Sequence, residues 1–262
     1  MNFRWLALMA LASFVGLQPH AGAQTVDLGS AWNYGILAGT TITNTGDTTI
    51  NGNLGVSPGI TVTGFPPGVL INGTSHLGDS GAIQALADAS TANSHLSALT
   101  FNTSLTGQDL GGLTLAPGVY NFSSTAQLTG LLKLDGAGVY VFQIGSTLTT
   151  ASASVIELMG GATASNVFWR VGSSATLGTS SDFEGTVLAD QSITVGTGVT
   201  DVGRLFALNG ATTLDSDVIT SDVITAVPEP ADTALLVAGF AGLAVCAARI
   251  RKHRSGRRLE SM

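Results

Sequence analysis

The sequence predicts an all-β protein, a β-solenoid with one long α-helix packed alongside, and three observations lead to this fold class. Short apolar segments rich in β-branched residues alternate with Gly, Ser and Asn, the pattern of many short strands. A four-residue motif recurs at steps near twenty residues, the length of one solenoid coil. One segment between the repeats has apolar residues at helical spacing and contains no proline.

The N-terminus has the composition of an export signal. Residues 1–23 contain Arg4, an apolar run of thirteen residues and the sequence Ala21-Gly22-Ala23. We interpret them as a signal peptide that is cleaved after Ala23. The apolar run is shorter than the ~20 residues that a membrane-spanning helix needs. The mature chain is therefore expected to be secreted or exposed at the cell surface.

The C-terminus, residues 227–262, combines a short motif, an apolar segment and a basic tail. Pro228, Glu229 and Pro230 precede an apolar run that ends at Ala248, and the tail RIRKHRSGRR follows. This arrangement resembles the PEP-CTERM sorting signal of bacteria with two membranes. The resemblance implies a single membrane span, transient or retained, and a sorting protease that removes the tail. An ordinary C-terminal membrane anchor is the alternative.

The remaining residues, 24–226, are predicted to form one domain whose charge excludes several classes of function. Lys133, Arg170 and Arg204 are its only basic residues, against fourteen acidic ones, so we expect no nucleic-acid partner. The sole cysteine, Cys246, lies in the predicted span, which removes thiol chemistry from the domain. No cofactor or metal is predicted, because no motif or ligand spacing points to one.

The repeated motif consists of Thr or Gln, an aliphatic residue, and two small or polar residues. Its copies are TITN, TVTG, QLTG, TLTT, TLGT, TVGT and TLDS, which begin at positions 41, 61, 127, 147, 176, 194 and 213. A β-sandwich would also have many short strands, but it gives no reason for one tetrapeptide to recur at this step. The repeats therefore favour a solenoid.

Two longer steps interrupt the repeats. The first contains the predicted helix, about residues 79–99, with Asp79 or Ser80 as its N-cap. Its apolar residues follow helical spacing: Ala82, Ala85, Leu86, Ala89, Ala92, Leu96 and Leu99. The second contains residues 160–165, a predicted corner loop. Because two repeats precede the helix and five follow it, the coils could stack out of chain order, which the spacing leaves open.

Stacked coils place repeated residues in straight columns about 4.7–4.9 Å apart. One predicted column is Thr41, Thr61, Gln127, Thr147, Thr176, Thr194 and Thr213. The other is Asn44, Gly64, Gly130, Thr150, Thr179, Thr197 and Ser216. Cross-strand packing alone could explain one column of threonines. A face that also lacks charge is better suited to ordering water or matching a regular solid lattice than to binding a charged ligand.

Longer segments add a further signal, among them INGNLGVSPG, DLGGLTLAPGVYNFSSTAQLTG and NVFWRVGSSATLGTSS. With the repeats they resemble the microbial ice-binding protein family over about residues 26–225. The resemblance implies a discontinuous, right-handed β-solenoid of roughly triangular cross-section with the helix alongside. It also implies a flat face that adsorbs to ice.

The family's ice-face pattern, T-[A/G]-x-[T/N], selects candidate residues. Thr197–Thr200 matches it fully, Thr150–Ala153 in two positions and Thr179–Asp182 in one. The predicted ice-binding residues are Thr147, Thr150, Ser152, Thr176, Thr179, Ser181, Thr194, Thr197, Thr200, Thr213 and Ser216. Asp182 and Asp215 are expected in or beside this face and depart from an uncharged surface.

These observations predict a monomeric, non-enzymatic protein that binds ice crystals and slows their growth or recrystallisation. The alternative is a cell-surface or matrix adhesin that binds exopolysaccharide through the same solenoid. A polysaccharide-degrading enzyme comes third, since Glu157, Asp182 and Glu184 could be imagined as a carboxylate pair. These residues lie on repetitive segments without an aromatic platform, so solvated carboxylates are the simpler interpretation.

Overall fold

The computed structural model describes residues 26–221, which belong to one compact unit within the predicted domain 24–226. The predicted signal peptide, residues 1–23, and the predicted sorting segment, residues 227–262, lie outside the described residues. Between residues 26 and 221, no helix is long and apolar enough to cross a membrane.

Short parallel strands are the main regular structure of the described chain. In chain order they are β1 (Tyr34–Ala38), β2 (Thr41–Thr45), β3 (Thr49–Asn51), β4 (Asn53–Val56), β5 (Thr61–Thr63), β6 (Val69–Ile71), β7 (Ser75–Leu77), β8 (Thr103–Ser104), β9 (Thr114–Leu115), β10 (Gly118–Phe122), β11 (Ala126–Leu128), β12 (Leu131–Asp135), β13 (Tyr140–Ile144), β14 (Leu148–Thr150), β15 (Val155–Met159), β16 (Val167–Val171), β17 (Ala175–Leu177), β18 (Asp182–Ala189), β19 (Ile193–Val195), β20 (Thr200–Ala207), β21 (Thr212–Asp215) and β22 (Val218–Thr220). One α-helix, α1 (Ser80–Ala98), and two 3-10 turns, Gly29–Asn33 and Ala164–Asn166, complete the fold.

The strands stack in three rows, because each complete coil contributes one strand to each row. The first row is a seven-stranded sheet in the order β11-β14-β17-β19-β21-β2-β5. The second, the helix-covered row, runs β8-β10-β13-β16-β18-β20-β1-β4-β7. The third row runs β9-β12-β15-β18-β20-β22-β3-β6. β18 and β20, eight residues each, pass through the corner and join the last two rows. The predicted β-solenoid is confirmed.

The interior of the coils is filled by the inward residue of each strand. Along the helix-covered row these residues include a stack of aromatic rings. Phe142 lies face to face with Trp169 at 3.9 Å between ring centroids, and Tyr120 and Phe183 continue the stack on either side. Trp169 is fully buried, and its indole N–H donates to the Glu184 carbonyl at 2.9 Å. Aligned rings on three successive coils, Tyr120, Phe142 and Trp169, therefore fill this part of the core, and Phe183 packs against Trp169 from the third row.

The coils stack out of chain order, which settles the alternative that the spacing left open. The first coil, β1 to β3, docks on the last one, with Ile36 opposite Leu205 and Ile50 opposite Ile219. This junction buries polar groups. The Thr48 hydroxyl donates to the Asn44 side-chain oxygen and accepts from the Asp217 N–H. We call Asn44, Thr48 and Asp217 the seam.

Asp217 shows how the seam balances desolvation against hydrogen bonding. Its carboxylate accepts the Val199 and Asp215 N–H groups at 2.9 and 2.8 Å. Both bonds favour the ionised form, but burial outweighs them and raises the pKa of Asp217 to about 6. The Asp217 carboxylate therefore accepts hydrogen bonds that fix the backbone of the last coil, and the first coil docks on that backbone.

The helix matches its prediction closely. It begins after Asp79, the N-cap, whose side chain accepts the Ala82 N–H at 2.9 Å. Its buried residues are Ala82, Ala85, Leu86, Ala89, Ala92 and Leu96. The predicted stripe is thus confirmed except at Leu99, which follows the helix as its C-cap.

The helix packs on the outward side of the helix-covered row. Its stripe contacts a second apolar cluster that includes Val141, Phe168, Leu188 and Phe206. Small alanines allow the helix to approach this row closely. At its C-terminus, the Gln143 amide donates to the Leu96 and Leu99 carbonyls, both at 2.8 Å, and satisfies acceptors that the helix itself leaves open.

Candidate functional site

The outward side of the seven-stranded sheet carries one residue from each strand in a straight column. The strand register aligns Gln127, Thr149, Thr176, Thr194, Thr213, Thr43 and Thr63. All seven are exposed, while the residues before and after them face inward. The column therefore consists of six threonines and one glutamine at the strand spacing of about 4.7–4.9 Å.

A second column runs beside the first, two residues earlier in the chain, and its members lie directly before a strand or at its first residue. It contains Thr125, Thr147, Ser174, Ser192, Ala211, Thr41 and Thr61. Backbone hydrogen bonds align it: the Ala126 N–H donates to the Thr147 carbonyl at 2.9 Å, and the Ala175 N–H to the Ser192 carbonyl at 3.0 Å. We call these two columns the Thr face. Within the described residues, none of its fourteen members carries a charge.

The layer beneath the Thr face keeps it regular. The inward residues are mostly aliphatic, such as Leu148, Leu177, Ile193 and Leu214, and all four are fully buried. Threonine is branched at Cβ, so its χ1 angle has few choices on a strand. The face therefore presents hydroxyl and methyl groups in fixed positions on seven strands that are aligned in register.

Asp215 marks the rim of this face. Its carboxylate accepts the Thr197 hydroxyl at 2.6 Å and the Ser216 hydroxyl at 3.3 Å. Asp182, which the sequence predicted in or beside the face, lies instead on the third row, opposite Val155 and Thr200. Asp215 therefore lies beside the Thr face, as expected, whereas Asp182 does not, and neither carboxylate belongs to its two columns.

Four of the eleven predicted site residues lie on the Thr face: Thr147, Thr176, Thr194 and Thr213. For two others the prediction of a surface position is wrong, because Thr150 is 3% exposed and Ser181 is 1% exposed. The Thr150 hydroxyl accepts the Gly178 N–H at 2.8 Å, and the Ser181 hydroxyl donates to the Gly178 carbonyl at 2.6 Å. Both hydroxyls hold the corner of the coil from inside.

The other five predicted residues are exposed or half-exposed but lie off the face. Ser152, Thr179, Thr197 and Ser216 occupy the corner, and Thr200 begins β20 on the third row. The corner turns sharply because one residue in each of four coils has a positive φ: Ala153, Ser180, Gly198 and Ser216. The T-[A/G]-x-[T/N] match at Thr197–Thr200 therefore spans this corner.

The sequence also missed residues of the main column. Thr43, Thr63 and Thr149 stand two residues after the predicted Thr41, Thr61 and Thr147, which belong to the second column. Residues two positions apart point to the same side of a strand, so the prediction still identified the correct side of the sheet. The alternation in TIT and TVT, with the aliphatic residue pointing inward, is the signal that identifies both columns.

A pair of titratable residues, His76 and Asp79, lies at the start of the helix rather than on the Thr face. His76 donates or accepts at both ring nitrogens, 2.8 Å from an Asp79 carboxylate oxygen and 3.1 Å from the Thr74 hydroxyl. Hydrogen bonds from the Ala82 N–H and from His76 hold the pKa of Asp79 below its ordinary value. Among the described residues, no group of three or more His, Cys, Asp or Glu side chains could hold a metal ion.

With this geometry established, comparison with known proteins is informative. A sequence model of the Ice-binding-like family matches residues 36–220. The chain is 47% identical to an ice-binding protein of Nostoc sp. (strain HG1), an alignment that covers 97% of this chain and 98% of the relative. It is 34% identical to an ice-binding protein of Colwellia sp., over 76% of this chain and 85% of the relative.

A solved structure agrees with the sequence relatives. The crystal structure of an ice-binding protein from the Antarctic ascomycete Antarctomyces psychrotrophicus superposes with a TM-score of 0.72 and 45% sequence identity. The superposition covers 76% of this chain and 99% of that one. Sequence, coil architecture and structural likeness agree, and the chain belongs to the ice-binding-like family.

Proposed function

We propose that this protein binds ice through the Thr face and thereby slows ice growth or recrystallisation. The observation that carries the proposal is the Thr face itself, seven aligned strands that present hydroxyl and methyl groups without charge. The sequence relatives and the superposed structure are named ice-binding proteins, which supports the same activity here.

The chemistry of the Thr face fits a water lattice. A threonine hydroxyl can donate and accept a hydrogen bond, while its methyl group leaves the neighbouring water with fewer partners. Repeated at each strand, the two groups hold water in a regular array that can join the surface layer of ice. Charged side chains would instead bind their own hydration shells tightly, and the two columns exclude them.

Adsorption would slow growth by geometry rather than by chemistry. Ice must advance between the adsorbed molecules, so its front becomes curved, and a curved front melts at a lower temperature. This mechanism needs no reaction at the protein and no cofactor. The protein therefore acts as a binding protein for a solid surface.

We also propose that the protein acts outside the cytoplasm, because residues 1–23 have the composition of a signal peptide. The PEP-CTERM-like segment, with Pro228, Glu229 and Pro230, would direct it to a sorting protease. The mass of the protein purified from its natural host tests both steps. Cleavage after Ala23 and loss of the basic tail are the expected result, and an intact chain would contradict the proposal.

Two substitutions in the centre of the main column test the ice-binding proposal. In the double variant Thr176→Tyr, Thr194→Tyr, large rings break the flat array, and we expect most of the thermal hysteresis and recrystallisation inhibition to disappear. The matched control is Thr91→Tyr, the same change at an exposed position of the helix. A wild-type protein without either activity, or a double variant with full activity, would refute the proposal. Retention on exopolysaccharide without ice adsorption would favour an adhesin.

A further inference from the structure

The third row divides into two halves with different chemistry. At the end near β12, β15 and the first part of β18, its outward residues are largely charged. The Lys133 Nζ lies 3.2 Å from the Glu157 Oε2. Asp182 and Glu184 follow on β18. At the other end, from β20 to β6, the outward residues are uncharged. The two halves share one backbone architecture, so side-chain chemistry alone distinguishes them.

The uncharged half consists of two aligned columns, which we call the Val/Thr patch. Strand register aligns Thr200, Val218, Thr49 and Val69 in the first column. It aligns Val202, Thr220, Asn51 and Ile71 in the second. The first column alternates hydroxyl and isopropyl groups strand by strand. Like the Thr face, the patch is part of a parallel sheet, so its groups repeat at the strand spacing of about 4.7–4.9 Å.

Three apolar side chains of the patch are exposed. Val218 is 44% exposed, Val69 49% and Ile71 46%. Burying such side chains is favourable, so a partner that covers them would gain free energy. No side chain of the described residues covers these three positions to the extent that the helix covers its own row.

The size of the patch argues against a second copy of this chain as that partner. Four strands and two residue positions span roughly 14 Å by 7 Å between Cα positions, on the order of 300 Å² with side chains included. A stable protein interface buries about 800 Å² per partner. The patch is uncharged and periodic, and in these properties, which suit a water lattice, it resembles the Thr face.

We propose that the Val/Thr patch is a second ice-adsorbing surface; this inference rests on the proposed function. The sharp corner between β21 and β22 separates the patch from the Thr face, so the two surfaces point in different directions. Their chemistry also differs, because the patch alternates valine with threonine. The two surfaces therefore adsorb to different planes of an ice crystal.

Ice-plane labelling with fluorescent protein tests this inference directly. A single-crystal ice hemisphere is grown in wild type, in the Thr-face variant Thr176→Tyr, Thr194→Tyr, and in Val218→Lys. We expect two sets of labelled planes with wild type. Val218→Lys loses one set, and the Thr-face variant keeps that set while losing the other. Val155→Lys is the matched control, because Val155 belongs to the same row in its charged half and should leave both sets intact.

Folding and self-association must be separated from adsorption. Circular dichroism and sedimentation are therefore measured on every variant, and Thr200→Lys replaces Val218→Lys if the latter does not fold. Labelling by the patch variants that is identical to wild type would overturn the inference, as would complete loss of labelling in the Thr-face variant. A wild-type dimer that Val218→Lys converts to a monomer, with unchanged labelling, would show that the patch binds a second copy. Wild-type protein that labels no plane would refute the proposed function itself.

Discussion

The Thr face and the helix-covered row are built on the same coils but serve opposite purposes. In β13, all five residues are buried, because the interior covers one side and the helix covers the other. In β14, on the same coil, Leu148 and Thr150 are buried and Thr149 is exposed. Both strands are parallel and in register with their neighbours. The difference lies entirely in the outward residues.

This difference shows how side-chain size selects what may cover a sheet. Outward residues such as Phe168, Leu188 and Phe206 are too large and apolar to remain exposed, and a helix with an alanine stripe covers them. The outward residues of the Thr face are small, polar and periodic. They are stable in water without any protein cover, which leaves that face available for a solid surface.

The largest expected effect comes from the core that both regions share. Replacing Trp169 with Ala empties the centre of the aromatic stack and leaves a large cavity, which should lower the free energy of unfolding by about 3–5 kcal/mol. Urea denaturation measures it. Because both regions rest on this core, loss of ice activity should accompany unfolding. A decrease below about 1 kcal/mol would show that the two regions are stabilised independently of the stack.

The contact between helix and sheet gives the next largest effect. Leu96 is fully buried, so Leu96→Ala should cost about 2–5 kcal/mol of unfolding free energy. Ile83→Ala is the matched control on the same helix, since Ile83 is 55% exposed and should change stability by less than about 0.5 kcal/mol. Urea denaturation measures the change in unfolding free energy of both variants. Equal effects at the two positions would mean that the alanine stripe does not determine which face of the helix packs.

A buried carboxyl beneath the third row predicts a dependence on pH. Asp201 is fully buried, and neither carboxylate oxygen has a hydrogen-bond partner among the described residues. Desolvation, reinforced by Glu184 and opposed by Arg204, holds the pKa of Asp201 well above its ordinary 3.8. Below pH 3.8 the group is neutral in both the folded and the unfolded state, so it adds no pH dependence there.

Above that pH the unfolded state loses the proton first. Stability should therefore fall as pH rises towards the folded-state pKa, by up to about 1.4 kcal/mol per pH unit from this group. Asp201→Asn removes the contribution of this group and leaves that of Asp217, whose pKa is also raised, so stability should fall less steeply with pH and the variant should be more stable than wild type near pH 8. Thermal unfolding from pH 4 to pH 8 checks the sign. If the variant followed the same pH curve as wild type, Asp201 would not be the group responsible.

The smallest effect on stability is expected on the Thr face. Thr194 is exposed, so Thr194→Val should change the free energy of unfolding by less than about 0.5 kcal/mol. Thermal hysteresis of the same variant tests the hydroxyl alone, because valine keeps the branched shape and replaces only the oxygen. Reduced hysteresis at unchanged stability would show that the outward residues of the Thr face serve binding and not folding, in contrast to those of the helix-covered row. A loss of several kcal/mol would indicate that the face stabilises the fold.

The sequence by itself determined the approximate number of residues per coil, the position of the helix and the outward side of the strands that carry Thr176, Thr194 and Thr213. These properties are local. A coil needs about twenty residues, an alanine stripe follows the helical period, and strand parity survives a two-residue shift of register. For that reason Thr176, Thr194 and Thr213 were placed on the correct face, although Thr41, Thr61 and Thr147 were assigned to the wrong column.

Only the tertiary structure decided the register between coils, the corner and the order of stacking. Thr150 and Ser181 point inward because both hydroxyls form hydrogen bonds with the backbone of Gly178. Gly178 lies in the coil next to that of Thr150 and in the same corner as Ser181. The first coil docks on the last through contacts such as Thr48 with Asp217, 169 residues apart in sequence. No periodicity encodes a contact of that range, because it depends on which open strand edge the folded chain presents.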